Sequence, residues 1–311
     1  MSVTRQELFE QLDVALTDYI ANERELQGLN APENRVVFID QVIDSIRRVE
    51  FARLLGSRPI NRSRTDPNSD LFDPLKAAVW YRINGDIEEA SWLVFLATHF
   101  GKNKESGWRL AQDVYGALGQ GVWTWDRVFV DPEGINRWLK ANFQSMRKDG
   151  VARKFGNHRK FETIDPSKSR ATGQVVESYV AWIAQYGSHQ AMFDSAFRAA
   201  EGNTRAAFHW LYKGMNVLRF ARLAKFDYLT MLAKLGVAPI EADSPYIVNA
   251  TGPLRGAKLL FSGRAGSDMM PREVDAEVVK LADSLGVGMQ EIEDAICNWQ
   301  KSPSRYKYFR G

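Results

Sequence analysis

Apolar residues recur at helical spacing along almost the whole chain. Leu8, Leu12, Ala15, Leu16, Tyr19 and Ile20 predict an amphipathic helix within 3–28. Pro32 precedes a second helix over roughly 33–55, with Val37, Ile39, Val42, Ile43, Ile46, Phe51 and Leu54 apolar and Gly56 as its C-terminal cap. Asp73-Pro74 supplies an N-cap and a proline at the first helical position for a helix over 73–84. Asp86 is placed to cap the next, over 87–100. The pattern continues with helices over 106–118, 132–144, 172–186, 188–201, 203–215, 216–236 and 288–300. Trp80, Trp92, Phe95 and Trp108 fall on apolar faces and read as core, and His99, closing its helix before Gly101, reads as a capping group. No alternating pattern of any length marks a strand, and no repeat of fixed period appears. The fold class this predicts is all-α.

Two stretches break the periodicity. Residues 57–72, SRPINRSRTDPNSDLF, are rich in Arg, Asp, Ser, Asn and Pro and read as a loop. Arg58, Arg62 and Arg64 there are either phosphate contacts or part of a solvated surface. Residues 145–171 form the second. From Arg147 to Arg170 it carries eight Lys/Arg against three acids, interleaved with Phe155, His158 and Phe161. Basic side chains alternating with planar rings suit contact with phosphates and stacking on bases. That makes Arg153, Lys154, Asn157, His158, Arg159 and Lys160 candidate DNA contacts and Phe155 and Phe161 candidate stacking residues; the alternative is a solvated linker. The expected organisation is two helical lobes, 1–145 and 172–311, joined by the basic loop 146–171.

Composition narrows the classes without choosing among them. The 311 residues are 45% apolar and 25% charged, ordinary for a globular protein, with nine Trp and seventeen Phe. A formal net charge of +3 permits a local basic face but does not demand nucleic acid. The single Cys297 excludes an internal disulfide and a cysteine-built metal site, and reads as a buried core thiol. His99, His158, His189 and His209 lack ligand spacing, so no metal and no cofactor is expected. Acid pairs such as Glu88-Glu89 and Glu291…Asp294 read as solvated helix faces. Without an apolar run of about twenty residues no membrane span is expected, and the polar start MSVTRQELFEQL points to a cytoplasmic protein. Phosphate-loop, dinucleotide, zinc-protease and serine-hydrolase signatures are missing from the sequence.

The stretch Tyr246–Val287 carries the most specific chemistry. Pro253-Leu254-Arg255-Gly256-Ala257-Lys258 reads as a tight turn opening an apolar helix, and Asp275 follows seventeen residues after Lys258, within VDAEVVKL. The pairing resembles the active-site segment of helix-hairpin-helix DNA glycosylases. Backbone N–H groups of such a hairpin hold a DNA phosphate, and the Asp faces the sugar of a flipped-out base. The resemblance implies DNA contacts from Gly252, Leu254, Arg255 and Gly256, with Lys258 and Asp275 as catalytic residues. Two features depart from it: Leu254 stands where the hairpin has its first glycine, and the Lys-to-Asp spacing is one residue short. In the alternative reading, Lys258 is a solvated helix lysine and Asp275 an N-terminal cap.

Longer phrases extend the likeness. They are SDLFDPLKAAVWYRINGDIEEASWLVFLATHFGK (69–102), GWRLAQDVYGALG (107–119), KFGNHRKFET (154–163), RLAKFDYLTMLAKLGVAPIEADSPYIVNATGPLRGAKLLFSG (222–263) and VGMQEIEDAICNWQKSP (287–303). Together they resemble the third clade of the alpha-glutamyl/putrescinyl thymine pyrophosphorylase family. The resemblance implies a two-lobed, glycosylase-like helical fold acting on modified pyrimidines in DNA, alongside other enzymes of a base-modification or anti-phage defence locus. Three functions follow as expectations. The first is excision of a modified base from phage-type DNA, with Asp275 stabilising the sugar cation and Lys258 attacking C1′ or holding a phosphate. The second is displacement of pyrophosphate from a 5-pyrophosphorylated thymine by an amine or amino acid, with the arginine clusters as clamps and Asp275 as general base. The third is a non-catalytic binder of modified DNA.

Overall fold

The computed structural model describes residues 3–156, 159 and 161–309. Among them are fourteen α-helices and no β-strand, so the protein is all-α as its periodicity predicts. The helices are α1 (Arg5–Asn22), α2 (Pro32–Ser57), α3 (Pro74–Ile83), α4 (Ile87–Phe100), α5 (Arg109–Tyr115), α6 (Trp125–Val130), α7 (Gly134–Lys148), α8 (Thr172–Ala184), α9 (His189–Ala199), α10 (Thr204–Gly214), α11 (Arg222–Lys234), α12 (Thr251–Ser262), α13 (Pro271–Leu285) and α14 (Met289–Trp299). No helix among the described residues is long and apolar enough to cross a membrane.

The chain forms two compact units. One takes the chain up to Ala52 together with everything from Ala242 on, and the other is Arg53–Glu241. This differs from the division at 146–171 expected from sequence. A composition shift marks a loop, whereas a compact unit is defined by which segments pack together, and here the two ends of the chain do.

In the unit built from the chain ends, glycines set the helix spacing. A Cβ on Gly256 would stand 2.6 Å from the Ile296 carbonyl oxygen, and one on Gly28 would stand 2.4 Å from that of Leu259. Each absent side chain lets one backbone lie directly on another. Trp299 fills the space beside this contact, packed edge-on against Phe38 with ring centroids 5.7 Å apart and donating to the Asn34 carbonyl at 3.1 Å. Cys297, expected in the core, is half-buried.

The other unit is organised around α4. Every residue from Glu89 to Phe100 is buried, which a helix tolerates only when neighbours surround it; α3, α5, α6, α9 and α11 all pack against it. Its start is fixed as the sequence suggests: the Asp86 carboxylate accepts the Glu89 N–H at 2.9 Å. Asp73 likewise caps α3, accepting from the Leu75 and Lys76 N–H groups at 3.1 Å each. Two local expectations fail. Gly56 lies inside α2, whose last residue is Ser57, and its bare Cα packs 3.3 Å (Cβ position) from the Leu235 carbonyl. The helix expected over 216–236 begins only at Arg222, because Arg219 adopts a positive φ of 65°.

Replacing Gly256 by Ala should cost about 1–3 kcal/mol of stability, since the new methyl meets backbone that cannot swing aside. Gly266→Ala, whose methyl would meet open space, should leave the denaturant midpoint unchanged. Equal midpoints for the two variants would contradict the packing described.

Candidate functional site

The segment ahead of α12 turns earlier than its sequence suggests. Tyr246 is left-handed (φ 53°, ψ 40°), Ile247–Asn249 form one tight helical turn, and Ala250 is extended ahead of Thr251. Residues 253–258 are therefore regular helix, not a turn, which corrects the hairpin expectation. Gly252 and Gly256, four apart, lie on the face of α12 that meets α14: their Cβ positions fall 3.0 Å from the Cys297 Sγ and 2.6 Å from the Ile296 carbonyl. Helix packing thus accounts for both glycines. Leu254 is half-buried and Arg255 exposed.

Lys258 and Asp275 both hold backbone. The half-buried Lys258 ammonium donates to the Ser267 carbonyl at 2.7 Å, closing the connection between α12 and α13. Asp275 lies in the second turn of α13, so it is not the N-terminal cap; Met270 occupies that position. Its Oδ1 accepts the Ile247 N–H at 2.7 Å and its Oδ2 accepts the Ser244 hydroxyl at 2.5 Å. Ser244 Oγ in turn accepts the Tyr246 N–H at 2.9 Å. One carboxylate thereby fixes the whole turn leading into α12. No hydrogen bond or ion pair joins Lys258 to Asp275 among the described residues.

The basic loop is largely tied down. Arg153 is buried, donating to Asp113, Asp149 and the Met146 carbonyl. Arg159 donates to the Thr98 carbonyl at 2.8 Å and to Asp227 at 3.0 Å. Lys154 is exposed and pairs with Glu105. Phe155 packs against Phe100 and His99, with ring centroids 5.6 and 5.7 Å away, while Phe161 is 76% exposed. Asn157, His158 and Lys160 lie outside the described residues. In the other arginine group, Arg58 and Arg62 are exposed and Arg64 donates to the Leu71 carbonyl at 2.9 Å.

Sequence reasoning missed a buried polar system on α4. Glu89, expected on a solvated face, is 4% exposed. Its carboxyl accepts the Tyr115 hydroxyl at 2.5 Å and the Trp125 N–H at 2.6 Å. Burial pushes its pKa up to about 7, with Asp86 and Asp126 adding to the rise and the two donors opposing it. Glu88 accepts from His189 Nδ1 at 2.6 Å and from the N–H groups of His189 and Gln190 at the start of α9. The other face of the buried His189 ring meets Tyr179, whose hydroxyl lies 2.8 Å from that of Tyr228. His99 is also interior, 3.0 Å from the Thr172 hydroxyl, and burial depresses its pKa to about 3. The signal available in sequence was that 87–100 is apolar on every side, which leaves its acids no solvated face.

Beside Tyr115, which donates to Glu89, lies an open pocket of about 500 Å³, lined by residues of the 62–67 turn with Tyr81, Tyr115, Val122 and Thr124. Tyr115 thus both donates to the buried Glu89 carboxyl and lines an open pocket of small-molecule size.

Comparison with known proteins gives one match. The model of the family described as alpha-glutamyl/putrescinyl thymine pyrophosphorylase clade 3 matches residues 33–311. No curated protein and no solved structure matches the chain.

Asp275→Ala should lower stability by about 1–3 kcal/mol, because it strands the Ile247 N–H, and should speed proteolysis within 244–250. Unchanged stability would mean that the carboxylate does not hold the turn. Glu89 should act in the opposite sense to a salt-bridged acid. Its folded value lies above the ordinary 4.5, so its contribution is full below that value and is lost as pH rises through about 7. Glu89→Gln removes the ionisation while its amide oxygen still accepts the Trp125 N–H and its NH2 donates to the Tyr115 hydroxyl. Between about pH 5 and pH 8 its Tm should therefore fall less than that of the wild type; an equal fall would place the Glu89 pKa in the normal range.

Proposed function

Because the chain belongs to clade 3 of the alpha-glutamyl/putrescinyl thymine pyrophosphorylases, we propose that it is an enzyme acting on a thymine-derived base in DNA. The reaction is displacement of pyrophosphate from the C5 methylene by an amine. The amine nitrogen bonds to the methylene carbon, the carbon–oxygen bond breaks, pyrophosphate leaves with the electron pair, and the nitrogen sheds a proton. The family match over residues 33–311 carries this reading.

The positions of Lys258 and Asp275 favour displacement over excision. An amine nucleophile at C1′ needs a free lysine, and Lys258 is donating to the Ser267 carbonyl. A carboxylate that meets a sugar cation must face the sugar, and both oxygens of Asp275 are turned to the 244–247 segment, each accepting a hydrogen bond there. Displacement instead needs cations for a polyphosphate leaving group, and the exposed Arg58 and Arg62 are suited to that.

DNA carrying a 5-pyrophosphorylated thymine, incubated with the protein and an amine, should release pyrophosphate and yield a nucleoside with the mass of thymidine plus the amine less two hydrogens. Alkali-labile abasic sites with a released free base would replace this reading by excision. Binding of the DNA without either product would make the protein a reader of modified DNA.

A further inference from the structure

We propose that the cavity bounded by the 62–67 turn, Tyr81, Tyr115, Val122 and Thr124 receives the pyrimidine ring of the substrate, an assignment that rests on the reading of the preceding subsection. Its volume of about 500 Å³ falls within the range of small-molecule sites. The lining suits a flat ring edged with carbonyls and an N–H. Tyr81, Pro67 and Val122 offer apolar surface, the Thr124 hydroxyl can donate or accept, and those of Thr65 and Tyr115, which already donate to the Arg62 carbonyl and to Glu89, can still accept. The Thr124 side chain makes no capping bond at the start of α6, which leaves its hydroxyl to pair with the edge of a bound ring.

The walls are built in advance. A Cβ at Gly116 would stand 2.7 Å from Pro67 Cβ, so the glycine lets the turn close onto the end of α5. Gln112 Nε2 holds that turn by donating to the Pro67 and Ser69 carbonyls at 2.9 and 3.1 Å. Directly after Tyr115 and Gly116, Ala117 and Leu118 are held at φ 46° and 55°. Non-glycine residues in that region are strained, and such strain gathers at binding and catalytic sites. The charges argue against a bare phosphate as the occupant. One guanidinium, Arg62, faces the cavity together with the Asp66 carboxylate, and Glu89 lies behind Tyr115. A neutral ring sits there without conflict, and the exposed Arg62 in the lining is available to an anionic substituent.

The test uses the full chain and two probes, 5-hydroxymethyl-2′-deoxyuridine and a short DNA with one 5-hydroxymethyluracil beside 2-aminopurine. The nucleoside should bind saturably by calorimetry, and the DNA should brighten as the modified base leaves the stack. Val122→Trp, which fills the cavity, should weaken nucleoside binding at least tenfold and abolish the brightening while DNA affinity stays the same. Thr124→Val should raise the nucleoside dissociation constant at least threefold without lowering Tm, because the hydroxyl it removes makes no bond in the fold. Should Val122→Trp fail to fold, Thr124→Val decides alone. Wild-type binding in the variants, or neither nucleoside binding nor brightening in the wild type, overturns the assignment. Pyrophosphate displacement that persists in folded Val122→Trp overturns the cavity and leaves the enzyme. Nucleoside binding that is lost in Val122→Trp, in a protein without displacement activity, overturns the enzyme and leaves the cavity.

Discussion

Helix α4 has no side open to water from Glu89 to Phe100, and the unit around it is arranged to meet that condition. Apolar side chains there need only contact, but each buried polar group needs a partner. Ser91 and Thr98 find one on their own helix, donating to the carbonyls of Ile87 and Val94. His99 reaches Thr172 at the start of α8, and Glu89 takes the Tyr115 hydroxyl from α5 and the Trp125 N–H from α6. Glu88, one residue earlier, seats the first turn of α9 through His189. The polar side chains of one helix thus fix the positions of four others. Apolar contact alone would allow those helices to slide.

The unit formed from the chain ends is held by a different device. Bare Cα atoms at Gly28 and Gly256 bring backbones together, and Asp275 collects the turn before α12 through Ile247 and Ser244. Gly252, Gly256, Lys258 and Asp275 are the same residues whose order suggests a phosphate-binding hairpin and a catalytic carboxylate. In this fold each has a structural partner, so their spacing is explained by packing and turn closure. What singles the protein out chemically lies elsewhere, where an acid with a pKa near 7 touches the wall of a chamber through a tyrosine hydroxyl.

Membership in a thymine pyrophosphorylase family and a chamber beside α4 are independent observations, and they fit one another chemically. An enzyme that substitutes at the C5 methylene must hold the ring by its edges while leaving that substituent free to react. Hydroxyls that donate or accept suit the ring, and an exposed arginine at the rim suits the anion that departs.

The all-α class and nearly every helix were legible in the sequence, because helical periodicity and caps such as Asp73 and Asp86 act over a few residues. The family was legible too, since long phrases carry it. The division into units was not, because contacts between the first 52 residues and the last 70 leave no local mark. Nor was the burial of Glu89, which looks like any surface acid until α5 and α6 close over it. The turn at 253–258 was misread for the same reason: glycine and proline signal a turn locally, but Gly252 and Gly256 serve α14. Periodicity and capping belong to the chain. Which carboxyl loses its water, which glycine carries another helix and which lysine is left free depend on neighbours far away in sequence, and only the tertiary structure assigns those.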